Sequence, residues 1–226
     1  MLIKLSIQYN KKIDSEEKLK RLIHLAYKLN QKFFETELPL LKIKLFYSRK
    51  NFNYYFKKIY HQDSLAWMVA WIPSKFYIYI FSPSAFKSET SHKASNFIKV
   101  LTHEITHIFI KEIYNINQPR WLIEGLADYI AKKDFKKVKI KKIINFKLLH
   151  TFNDFKNYNS YNQSGLFAKY LLEEFGKNLL LQLIENLRNN KNDFENFKKI
   201  FKKTYKLNFN TVINNWSDNI NANLDK

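Results

Sequence analysis

Apolar and polar positions along this chain change period several times, and each change marks an element. Residues 2–9 alternate, with Leu5 and Ile7 set against Lys4, Ser6 and Gln8, which predicts a strand. Residues 15–34 switch to helical spacing, with Asp14 or Ser15 placed to cap the start and Pro39 beyond the end. A second strand is expected over 41–47, a third over 65–72 and a fourth over 76–81, after which Ser82-Pro83-Ser84 ends the sheet. Helical spacing then runs over about 91–113 and again over 121–133. From about residue 145 the pattern stays helical, with breaks near 157–160 and at Gly176. Strands gathered first and helices after them predict an α+β fold. No repeat and no linker interrupts the pattern, so one domain over residues 1–226 is expected.

Composition narrows the class. Hydrophobic residues make up 46% and aromatics 17%, enough for a packed core. The chain has no cysteine, which removes disulfides, thiolate ligands and a cysteine nucleophile. Residues 1–12 carry no apolar run fit for a signal peptide, and no segment approaches ~18 apolar residues, so a cytoplasmic protein with no membrane span is expected.

A formal charge of +19 raises nucleic acid as a partner. Lysine gathers at Lys132-Lys133 and over 136–142, with Asp134 the only acid among them. Lys, Asn, Ile and Phe are abundant together while glycine occurs three times, the mark of a compositional bias more than of a binding surface. No finger, RNP-like strand or glycine loop accompanies the charge, so nucleic acid is possible but not favoured. Residues 101–131 invert the balance, with Glu104, Glu112, Glu124 and Asp128 against Lys111 and Arg120. Acid inside a basic shell suits a cation.

That stretch opens with His103-Glu104-Ile105-Thr106-His107, an H-E-x-x-H segment. Histidines four apart on a helix share a face about one turn apart, so both imidazoles can reach one ion. Uncharged Ile105, Thr106, Ile108 and Phe109 surround them, and burying two histidines and a glutamate there is costly unless a metal compensates. Glu124, on the next expected helix, would complete a two-histidine, one-carboxylate zinc site with a fourth position open to water. Glu104 points about 100° around the helix from His103, beside such a metal and not on it, where it can accept a proton from the water and pass it to a leaving amine.

The chain resembles the gluzincin zinc peptidases, and in particular the stand-alone peptidase MA-like group. The resemblance rests on H-E-x-x-H and on Pro119-Arg120-Trp121-Leu122-Ile123-Glu124-Gly125-Leu126-Ala127-Asp128-Tyr129. A third match is Tyr161-Asn162-Gln163-Ser164-Gly165, and residues 201–216 resemble the group's closing helices, so the likeness covers roughly residues 75–220. It implies a zincin-like fold: a mixed-sheet lobe with the motif helices over about 1–135, a helical lobe over about 136–226, and a cleft between. It implies one zinc per chain on His103, His107 and Glu124, with Glu104 as general base. By the same likeness Asp128 would hold His103, and Tyr161 would donate to the reaction intermediate, although 14 tyrosines and the nearby Tyr158 leave that match open. Strand 76–81 could pair with an extended peptide by β-augmentation, or be an ordinary buried strand.

The implied activity is hydrolysis of peptide bonds in a peptide or protein substrate. With no glycine before Gly125, the segment by which gluzincin aminopeptidases grip a free amine cannot form in its usual way, which favours an endopeptidase or a narrow-specificity peptidase. Two other readings remain, a catalytically silent interaction protein on the same fold and a basic nucleic-acid-binding protein. His24, His61, His92 and His150 stand at no ligand spacing and receive no role. Oligomeric state and cleavage specificity leave no mark in the sequence.

Overall fold

A four-stranded mixed sheet followed by helices is the observed architecture, as expected for an α+β chain. The computed structural model describes residues 4–10, 13–133, 135, 142–151, 158–190 and 193–222. Residues 136–141, most of the lysine-rich run, lie outside these, as do Asp134 and Asn157. The chain divides into two units, Met1–Ile113 and Tyr114–Lys226. No helix among the described residues is long and apolar enough to cross a membrane.

In the first unit the strands are β1 (Lys4–Gln8), β2 (Leu40–Phe46), β3 (Ala70–Ser74) and β4 (Tyr77–Phe81), in the order β1-β2-β4-β3. β1 and β4 both run parallel to β2, and parallel strands need crossovers. Helix α1 (Glu16–Phe34) supplies the first of them, its start capped by Ser15, whose side chain accepts from Lys18 N. Alternation decides the faces: Leu41, Ile43, Leu45, Ile78 and Ile80 are buried, while Lys42 and Lys44 stand in register with Tyr77 and Tyr79 on the other side. α1 buries Leu19, Ile23, Ala26, Tyr27, Asn30 and Phe34, a stripe at helical spacing.

Several expectations need correction. Residues 76–81 do not offer an edge to substrate: β4 is paired with β2 on one side and antiparallel to β3 on the other, so the interior-strand alternative applies. Free edges among the described residues belong to β1 and β3. The third strand begins at Ala70 and not at 65, because a turn closed by Met68 N to Leu65 O occupies 65–68. Helix α2 (Arg49–Tyr60) was not expected, since asparagine and lysine dilute its apolar stripe and only Phe52 and Phe56 are buried. Phe52 stacks on Phe81 at 4.4 Å between ring centroids and meets Trp71 edge-on at 4.5 Å, which ties α2 to the sheet. After a short helix α3 (Phe86–Glu89), the motif helix α4 (Phe97–Tyr114) starts later than 91, behind a 3-10 turn at Ala94–Asn96.

The second unit is helical. α5 (Arg120–Ile130) is buried almost all round, from Trp121 to Asp128 and again at Ile130. α6 (Tyr158–Leu187) packs along it, and its first turn is residues 158–160, where a break was expected. The break at Gly176 is present, with φ 81° and ψ 159°, a region essentially closed to residues with a Cβ. α6 ends at Leu187 in a turn over 188–190 that the hydropathic pattern did not mark, and α7 (Phe194–Tyr205) and α8 (Phe209–Ala222) follow. Rings fill this unit: Trp121 lies 5.1 Å from Phe146 and 5.2 Å from Phe167, and Trp216 lies 5.0 Å from Phe167.

Candidate metal centre

α4 acquires its orientation from what it buries. Phe97, Leu101, Ile105, Ile108 and Phe109 are core residues, and Phe109 stacks on Phe34 of α1 at 5.3 Å. Thr106 Oγ1 reaches Asn30 Oδ1 at 2.7 Å and Thr102 O at 2.9 Å, while Asn30 Nδ2 donates to Thr102 O and Ala26 O, each at 3.1 Å. Every member of this network is buried. At 100° per residue, His103 and His107 then fall on the opposite side of α4 from that core, with Glu104 at their flank.

The two histidines meet. Their Nε2 atoms are 3.0 Å apart and the rings lie edge to face, 4.7 Å between centroids. Two nitrogens each ~2.0–2.1 Å from a common ion can adopt that separation. His103, Glu104 and His107 are each half-buried.

Glu124 and Asp128 sit one turn apart on α5, with only 2% and 3% of each residue exposed. Neither charge is left alone there: Arg120 Nη2 lies 2.5 Å from Glu124 Oε1, and Lys133 Nζ lies 2.5 Å from Asp128 Oδ1. Lys133 can turn back because Lys132 adopts φ 51° and the Lys133 amide donates to Asp128 O at 3.1 Å. His103, His107 and Glu124 each offer one ligand atom, and these atoms lie within 4.8 Å of one another, a group that could hold a metal ion. Two imidazoles and one carboxylate are the donor set of an open zinc site, so the residues fit such an ion.

Tyr161 lies half-buried on α6. A Cβ on Gly125, next to Glu124, would run into the Ser164 carbonyl oxygen, so α5 and α6 touch backbone to backbone there. Tyr161 precedes Ser164 by three residues and shares its face of α6, a turn from that crossing. Of the other histidines, His24 and His61 are exposed, and His150 is buried against the rings of Phe194 and Phe197 at 5.6 and 5.8 Å. Arg120 received no role from the sequence, although its spacing of four from Glu124 was a usable signal.

No curated protein matches this chain. A family model described as a peptidase of plants and bacteria matches residues 77–209, from the first residue of β4 through α4, α5, α6 and α7 to the first residue of α8. The match covers more than half of the sequence and every residue of the candidate site, and the chain therefore belongs to this family of plant and bacterial peptidases.

Proposed function

We propose that this peptidase is a zinc-dependent metallopeptidase of the gluzincin kind, with residues 1–226 forming one catalytic domain. His103, His107 and Glu124 would hold one zinc ion per chain. The observation that carries the reading is the approach of the two Nε2 atoms to 3.0 Å, with a buried carboxylate completing the donor set. When bound, the ion supplies Lewis acidity to the attacking water and to the carbonyl under attack.

The chain's own residues do the rest. Glu104 accepts a proton from the water and delivers it to the amine that leaves when the C–N bond breaks. Asp128 fixes the tautomer and orientation of His103, as carboxylates beside ligand histidines commonly do. Tyr161 donates a hydrogen bond to the oxyanion formed during attack. The substrate is a peptide or protein, cleaved internally or with narrow specificity. Zinc analysis of the purified protein, with a peptide-library cleavage screen of the parent and of Glu104→Gln side by side, tests the reading. A protein that binds zinc but cleaves no peptide would point to a silent interaction domain. Steeply salt-dependent binding to DNA or RNA without turnover would point to a nucleic-acid-binding role.

A further inference from the structure

Resting on the metal-site reading above, we infer that Arg120 is a positioning residue: it fixes the Glu124 carboxylate in the orientation that presents it to the metal ion. Arg120 is the first residue of α5 and Glu124 stands one turn on. The Glu124 side chain is 3% exposed and that of Arg120 25%, and Nη2 meets Oε1 at 2.5 Å. An ion pair this short between a buried carboxylate and a planar guanidinium fixes where the carboxylate points.

Helix stability does not account for this arginine. The N-terminus of a helix carries the positive end of the macrodipole, where a cation is unfavourable. Within an i,i+4 pair, basic before acidic is also the weaker order. Nor is the pair a solvated surface contact like Lys20–Glu16 of α1, whose side chains are 60% and 49% exposed. An arginine at a poor place for its helix, bonded to a buried carboxylate, is explained by what it does to that carboxylate.

Two effects on metal affinity oppose each other. The guanidinium withdraws charge from the ligand, which weakens its hold on a cation. It also fixes a side chain with three rotatable bonds, so less freedom is lost on binding. Groups that orient metal ligands typically contribute 10–100-fold to affinity, so orientation outweighs the loss of charge.

The test is zinc affinity of the metal-free protein, measured against a chromophoric chelator, with the visible spectrum of the cobalt form as a report on ligand geometry. Arg120→Ala is expected to weaken zinc roughly 10–100-fold and to alter the cobalt spectrum. Arg120→Lys, a cation without the planar fork, is expected to recover part of the affinity. A residue with a merely structural role would lower the melting temperature of the metal-free protein and leave the affinity of the folded protein unchanged. If Arg120→Ala does not fold, Arg120→Lys decides, and an affinity and cobalt spectrum equal to the parent's overturn the inference. A parent chain that binds no metal overturns the metal-site reading and this positioning role with it. Metal binding by the parent with unchanged affinity in both variants overturns the positioning role alone.

Discussion

Thr106 Oγ1 lies 2.7 Å from Asn30 Oδ1, joining the middle of the H-E-x-x-H segment to a helix 76 residues earlier in the chain. The bond is buried, and the Asn30 amide also satisfies Thr102 O, so the roll of α4 is held by polar contacts as well as by Ile105 and Phe109. Asn30→Ala removes a partner from the Thr106 hydroxyl and from the Thr102 carbonyl, which then keep only each other. Loss of these buried hydrogen bonds is expected to cost about 1–3 kcal/mol, read as a lower urea midpoint at unchanged slope. A loss below ~0.5 kcal/mol would show that the network does not hold the helix.

Zinc content tests the ligand set. The parent should carry about one zinc per chain, and His103→Ala, His107→Ala or Glu124→Ala should each nearly abolish binding in elemental analysis. Full zinc in Glu124→Ala would remove that residue from the ligands. Asp128→Asn should weaken affinity by ~10–100-fold without abolishing it, and an unchanged affinity would leave Asp128 with Lys133 as a structural pair only.

Glu104→Gln separates binding from chemistry. The amide is nearly isosteric and residue 104 is not a proposed ligand, so zinc and fold should be retained while turnover nearly vanishes, because glutamine cannot take the proton. Full peptidase activity in this variant would refute the mechanism.

Tyr161→Phe should keep zinc and ground-state substrate affinity and lose about 10²–10³ in kcat, as expected of a donor used mainly in the transition state. Tyr158→Phe serves as the control. If it were the inactive variant and Tyr161→Phe the active one, the donor would be Tyr158.

Gly125→Ala measures how closely α5 and α6 are packed. Alanine is worth ~1 kcal/mol over glycine in a helix interior, which by itself would stabilise. The added methyl instead meets the Ser164 carbonyl, a backbone atom that cannot swing aside, and overpacking costs about 1–3 kcal/mol. Net destabilisation in thermal or urea unfolding is expected, and a gain in stability would contradict the close crossing.

Residues close in sequence made much of this protein legible before its fold. His103 and His107 share a face through helix periodicity alone, and Glu104 is set beside them by the same 3.6-residue turn. Alternation of period two placed β1, and in β2 and β4 buried positions alternate with half-buried ones over most of each strand. Gly176 marked a break because glycine readily takes the conformation found there. The α2 helix escaped notice for an opposite reason: two buried phenylalanines among Asn and Lys are too thin a stripe to announce a helix.

Tertiary structure alone decided the matters that depend on residues far apart in the chain. Hydrophobic period cannot say which strand lies inside a sheet, so the position of β4 between β2 and β3 emerged only from their pairing. Asn30 reads as an ordinary polar helix residue until the fold buries it against Thr106, since a hydrogen-bond partner 76 residues away leaves no local signature. Arg120 stood in plain view at the right spacing, yet whether an i,i+4 pair is a solvated ornament or a grip on a buried carboxylate depends on burial. Burial belongs to the folded chain, because it is set by the neighbours that exclude water and not by the residue itself.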